Sequence, residues 1–317
     1  MRSGPGICAA PRCSCCDEGV RKSRTTLLTA LLLLTSAAPA SALPAGRSGL
    51  YGGGAVRDYV QFVSAQARPD GRFTANATLV TRCSPRFGDS LTESVRVRDE
   101  LSPNGGYAET STFEDDIDPG VPTVGGLHAE GTIRLSMQVL AGGRATGAIQ
   151  VLTTYSDPRT GAEVARCDTG RIGWVARRPL PDSGEGRVQL QPGTHRGSTE
   201  QGHPFLARVT RRGRLVRRAG LTVRIGCPSG IGLPLDVVAH RIRVRRESFG
   251  AADRFERPFT YPDGTRVVER YSWEMRGRFG ARGVHGTFRM RGMVRREGSG
   301  EQVGSCTTGA ISWRAVR

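Results

Sequence analysis

The sequence predicts an all-β protein of two tandem antiparallel domains, each a β-sandwich or small barrel with one disulfide. Three observations lead there. A ten-residue stretch occurs twice, CDTGRIGWVA at 167–176 and CTTGAISWRA at 306–315, with Cys, Thr, Gly, Ile, Trp and Ala at identical spacing. Such a match makes the chain a tandem repeat. Between these stretches, short runs alternate apolar and polar residues and are separated by turn residues. Beyond the N-terminal segment, no run keeps a helical period over three turns, which argues for sandwiches or barrels rather than a mixed fold.

Residues 27–38, LLTALLLLTSAA, follow Arg21, Lys22 and Arg24 and precede Ala40-Ser41-Ala42. Basic, apolar and small-residue regions in this order predict a signal peptide over 1–42, cleaved after Ala42. The apolar run is shorter than the roughly 20 residues a membrane span needs, and no Cys marks a lipoprotein anchor. Cys8, Cys13, Cys15 and Cys16 lie ahead of it without a second C-x-x-C pair or a His partner at zinc-ligand spacing. Val20 read as the start would leave 1–19 untranslated. Either way, the expected location is outside the cytoplasm: extracellular, cell-wall or periplasmic.

The repeated stretch reads as a closing strand. Thr169-Gly170 and Thr308-Gly309 supply a bend, because Gly adopts positive φ without a Cβ penalty. Beyond it Ile172, Trp174 and Ala176 share one face, as do Ile311, Trp313 and Ala315. Earlier in the first repeat, Val60, Phe62 and 73–83 read as strands around an Asp70-Gly71 turn, followed by strands at 133–140 and 145–155. In the second repeat, Phe205, Ala207 and Val209 precede an Arg212-Gly213 turn and Leu221, Val223 and Ile225. His240, Ile242 and Val244 then alternate with Arg241, Arg243 and Arg245, and Tyr271, Trp273 and Met275 form a further inward set. Gly147 and Gly286 stand at the same place relative to the closing stretch. The domains are thus 43–178 and 193–317, with a Pro- and Gly-rich linker at 179–192 that leaves few contacts between them.

Four cysteines remain after export, and an oxidising compartment permits disulfides. Four cysteines allow three connectivities, and the repeat selects one. Equivalent positions pair alike in equivalent domains, so Cys83 pairs with Cys167 and Cys227 with Cys306. Both repeats resemble uncharacterised secreted β-domain proteins of high-GC bacteria whose domains end in C-x-T-G-x-x-x-W-x-A. That resemblance implies an exported β module and names no activity.

Phe87-Gly88-Asp89-Ser90-Leu91-Thr92 resembles the nucleophile block of GDSL esterases, with Ser90 in the attacking position. That family needs an Asp-x-x-His to activate the serine, and the nearest candidate, Asp236 to His240, is one residue too long. Asp89-Ser90 also falls opposite Leu233-Pro234 in the second repeat, so the stretch reads as a structural turn. The acidic run from Glu114 to Gly120 offers calcium-type ligands without an EF-hand pattern, and reads as a solvated hairpin tip. The five histidines show no zinc spacing. The expectation is no enzyme, no cofactor and no metal.

Charge gives the functional lead. The chain carries a net charge of +17. Residues 43–178 hold 15 Arg and 15 acidic residues, whereas 179–317 hold 26 Arg and 12 acidic residues. Codon bias acts on both halves alike, so it does not explain the difference. Arg241, Arg243 and Arg245 alternate with Ile242 and Val244, and Arg289 and Arg291 alternate with Phe288 and Met290, which sends these guanidinium groups to solvent together. They are the candidate binding residues. The expected partner is an anionic polysaccharide, wall polyanion or anionic surface; no nucleic-acid recognition motif and no membrane span in the mature chain are found. The alternatives are a structural or protein-interaction module with incidental charge, and an esterase.

Overall fold

A computed structural model of the chain describes residues 42–56, 59–84, 91–117, 127–179, 190–227, 232–260 and 265–317. The signal segment, residues 87–90 of the esterase-like block, residues 118–120 of the acidic run and residues 180–189 of the linker lie outside the described residues.

The first domain contains β1 (Gly49–Val56), β2 (Val60–Ala67), β3 (Arg72–Cys83), β4 (Leu91–Glu100), β5 (Gly106–Ile117), β6 (Leu127–Leu140), β7 (Arg144–Ser156), β8 (Glu163–Asp168) and β9 (Ile172–Arg177). They run β4-β3-β2-β1-β9-β7-β6-β5, and β8 bridges β3 to β7, closing a six-stranded barrel of β1, β2, β3, β8, β7 and β9. The second domain contains β10 (Gly193–Thr199), β11 (Pro204–Val209), β12 (Leu215–Gly226), β13 (Gly232–Arg243), β14 (Ser248–Thr260), β15 (Arg266–Gly280), β16 (Gly283–Arg296) and β17 (Gln302–Val316). Its order, β13-β12-β11-β10-β17-β16-β15-β14, repeats the first. The long β17 does the work of β8 and β9, pairing with β12 through Gly226 and Thr307 and with β10 through residues 313–316. All neighbouring strands are antiparallel, and the described residues contain no helix.

The closing stretch shows why its residue types recur. Gly170 has φ 61° and Gly309 φ 67°, a left-handed bend that only glycine takes without strain. The preceding threonine replaces the interrupted ladder. Thr169 Oγ1 accepts from the Val151 amide at 2.9 Å, and Thr308 Oγ1 accepts from the Met290 amide at 2.8 Å. Before each bend stand the cysteines. Cys83 and Cys167 are directly opposed on β3 and β8 and are bonded, as are Cys227 and Cys306. After each bend the tryptophan turns inward: Trp174 and Trp313 lie across from Gly147 and Gly286 on the neighbouring strand, whose missing side chains leave room for the indoles. Phe205 stacks on Trp313 with ring centroids 3.9 Å apart.

Strict alternation fills the two cores. On β15, Val267, Tyr271, Trp273, Met275 and Phe279 are buried, while Arg270, Ser272, Arg276 and Arg278 face solvent. Strands β2 and β11 break the rule and are buried on both faces. Their outer faces meet at the seam between the domains, where Val60 and Phe62 pack on Leu206. The backbones come close beside them: a Cβ on Gly52 would lie 1.9 Å from the Gly197 carbonyl oxygen. The expectation of few contacts between the domains is therefore corrected. Aromatic and aliphatic side chains that a lone sheet would expose are removed from water by the other domain.

Candidate anion-binding surface

The second domain gathers arginines at one pole from two sequence segments. RRGRLVRR, residues 211–218, makes the turn into β12, with Gly213 at φ 66°. RIRVRR, residues 241–246, ends β13 and leads to β14. The two segments are adjacent, because the Val244 amide donates to the Arg214 carbonyl at 3.0 Å. Arg241, Arg243 and Arg245 are exposed, while Ile242 is buried and Val244 half-buried, as the alternation predicts. The expected inward position of His240 is corrected. Arg241 has φ 55°, and the register between β12 and β13 passes from Val216–Ile242 to Arg218–His240. The register is the same on both sides of this interruption; the positive φ at Arg241 breaks the alternation, so Ala239 is buried and His240 exposed.

Sequence reasoning missed Arg211, Arg212, Arg214, Arg217 and Arg246, all exposed at this pole. The signal lies in the RRGRLVRR run, five arginines in eight residues around the Arg212-Gly213 turn. Glu247 supplies the single carboxylate in the two segments and their boundary.

Arg289 and Arg291 are exposed on β16, opposite inward Phe288 and Met290. They belong to a different part of the sheet. β13 is one edge, whereas β16 is third from the other edge. Around them the outward face of β14–β16 adds Arg254, Arg270, Arg276 and Arg278. Glu274 is shared by Arg276 at 2.6 Å and Arg289 at 3.3 Å, and Glu256 pairs with Arg270 at 2.9 Å. Arg254 and Arg291, both across from Ser272 on β15, make no ion pair among the described residues. The two groups adjoin through Arg278, 4.0 Å from the Glu247 carboxylate. Exposed ion pairs of this kind contribute little to stability. Among the described residues of this face the guanidinium groups outnumber the carboxylates, and a guanidinium can grip phosphate, sulfate or carboxylate with two N–H donors at once.

The first domain presents the opposite sign at its β5–β6 hairpin. His128 Nδ1 lies 2.9 Å from Asp116, and its Nε2 lies 3.3 Å from Glu130 and 3.4 Å from Glu114. The hydrogen bond to Asp116, supported by the other carboxylates, holds the imidazole pKa above its ordinary value. Glu114, His128 and Glu130 each offer a ligand atom, all within 4.8 Å of one another. An imidazole with two carboxylates is a donor set that suits a zinc-type divalent ion. The acidic run of the sequence contains Glu114 and Asp116, whereas His128 and Glu130 come from the facing strand β6.

Among the described residues, the partners of the Asp236 carboxylate are threonines. It accepts from Thr222 Oγ1 at 2.6 Å and from Thr78 of the first domain. Ser90 lies outside the described residues.

No helix among the described residues is long and apolar enough to cross a membrane. The two disulfides suit an extracellular or periplasmic environment. No family model matches the chain, and no curated protein matches it. One solved structure, from Bacteroides fragilis and described as a "putative outer membrane protein", is similar over 85% of this chain and 97% of its own, at 12% identity and a TM-score of 0.20.

Proposed function

We propose that this is a secreted, non-enzymatic protein that binds anionic polymers or surfaces through the arginine-rich second domain. The observation that carries the reading is the basic pole. Eight exposed or half-exposed arginines of 211–218 and 241–245, with Arg246 beside them, project from two adjoining segments that contain no carboxylate of their own. Such a surface gains free energy by releasing the counterions of a polyanion. Its spacing at period two along β13 matches an extended chain better than a compact ligand. A cell-wall polyanion, acidic polysaccharide or anionic lipid face has the required chemistry.

The test compares dextran sulfate with uncharged dextran at two salt concentrations, using the full-length protein. Binding to the sulfated chain alone, weakening as salt rises, supports the proposal. Equal binding to both polymers, or binding indifferent to salt, favours the second reading, a structural or protein-interaction module whose charge serves solubility.

A further inference from the structure

Three arginines meet at the seam between the domains. Arg177 ends β9 and stands directly opposite Arg144 on β7. Like charges in that relation repel. Arg196 reaches them from β10 of the second domain. Its Cδ passes 3.2 Å from the point where a Gly53 side chain would begin, alongside Ala176. The missing side chain of Gly53 thus makes the channel for its stem. At the far end, the charges of Arg177 and Arg144 both act on the Arg196 guanidinium.

The cluster is short of partners. The Nε atoms of Arg177 and Arg196 are buried and make no hydrogen bond. Arg196 Nη1 donates to the Thr194 carbonyl at a long 3.3 Å. Among the described residues, no carboxylate forms an ion pair with any of the three. Burial, and then repulsion from its neighbours, holds the pKa of both Arg177 and Arg196 below the ordinary value. The Nε of the neighbouring Arg178 is also buried without a hydrogen bond, while its Nη1 donates to the Ser48 carbonyl.

The repeat sharpens the point. Aligning Ala176 with Ala315 places Gly52 where the second domain has Arg196, and Val316 where the first has Arg177. The cluster is therefore not a property of the repeated scaffold. It arises only where the two different copies are joined. Gathering partly buried cations without counter-charge costs free energy, and a bound anion reverses the sign of that interaction.

We propose that Arg144, Arg177 and Arg196 form a discrete site for one small oxyanion of the phosphate or sulfate class, bridging the two domains. The site is separate from the polymer-binding surface. It differs in taking one small anion and in coupling ligand to the seam.

The experiment is calorimetric titration and thermal unfolding of the full-length protein with inorganic phosphate, with ionic strength held constant by sodium chloride. The expected result is saturable binding and a melting temperature that rises with phosphate, because a ligand held only by the folded state stabilises it. Arg196→Gln should weaken binding at least tenfold. Arg144→Gln should do likewise; its side chain is exposed, so this variant keeps the test alive if Arg196→Gln does not fold. The Arg241, Arg243 and Arg245 triple serine variant should retain the wild-type phosphate response. The proposal is overturned if binding does not saturate, if Arg144→Gln binds like wild type, or if the surface variant loses the response.

Discussion

Replacing Asp236 with Asn should stabilise the protein at neutral pH and flatten its pH–stability profile between about pH 4 and pH 6. Asp236 sits on β13, facing Thr222 of its own domain and Thr78 of the first. Burial pushes its carboxyl from 3.8 up to about 6; hydrogen bonds from the two threonines oppose this without cancelling it. The sign follows from proton counting. Between the two values the folded state holds a proton that the unfolded state has released, so stability falls as pH rises through this window. The cost is complete above about pH 6. A shift of roughly two units corresponds to about 3 kcal/mol. An Asn amide keeps an oxygen to accept from Thr222 and carries no charge to desolvate. The assay is urea unfolding of both proteins at pH 4, 5, 6 and 7.5, read as the difference between them so that other titrating groups cancel. The variant should gain on the order of 3 kcal/mol relative to wild type across the series. Parallel profiles, or a variant that loses ground as pH rises, would refute the assignment of a buried, destabilising carboxylate.

Serine at both Cys83 and Cys167 should lower stability by about 4 to 5 kcal/mol, the chain-entropy value for so long a loop, measurable by denaturant titration under oxidising conditions. Gly52→Ala places a Cβ 1.9 Å from the Gly197 carbonyl oxygen. It should force the two domains apart, lowering the melting temperature and increasing protease cleavage between them. NMR titration should find the His128 imidazole pKa above its ordinary value, and Asp116→Asn should bring it down, because that carboxylate is its foremost partner.

Much of the fold was legible because it rests on local chemistry repeated twice. Thr-Gly before Trp encodes a bend, a hydroxyl that substitutes for a ladder partner, and an inward indole, and each copy checks the other. The same logic paired Cys83 with Cys167 and Cys227 with Cys306. Outward arginines on β13 and β16 followed from period two. What remained hidden was non-local or broke the period. The runs VQFV in β2 and PFLA in β11 carry apolar residues on both faces, yet nothing in them names the opposite domain as the second cover. An arginine at positive φ gives no sequence warning, so the break in alternation at Arg241 turned His240 outward unannounced. The seam cluster joins positions 144, 177 and 196, each on a different strand, and only the assembled domains bring them together. His128 needed β6 to be set against β5 before its carboxylate partners could be seen.

The central claim is that the second domain's arginine pole is the polyanion contact, and its most direct measurement is a salt slope. Full-length wild type and the Arg241, Arg243 and Arg245 triple serine variant are titrated by fluorescence anisotropy with one labelled sulfated oligosaccharide over a series of salt concentrations. Each lost contact to a charged group should reduce the slope of log affinity against log salt by somewhat less than one. A slope shallower by about two to three, with weaker binding and an unchanged melting temperature, is the result expected of exposed side chains. Equal slopes and equal affinities for the two proteins would contradict the claim.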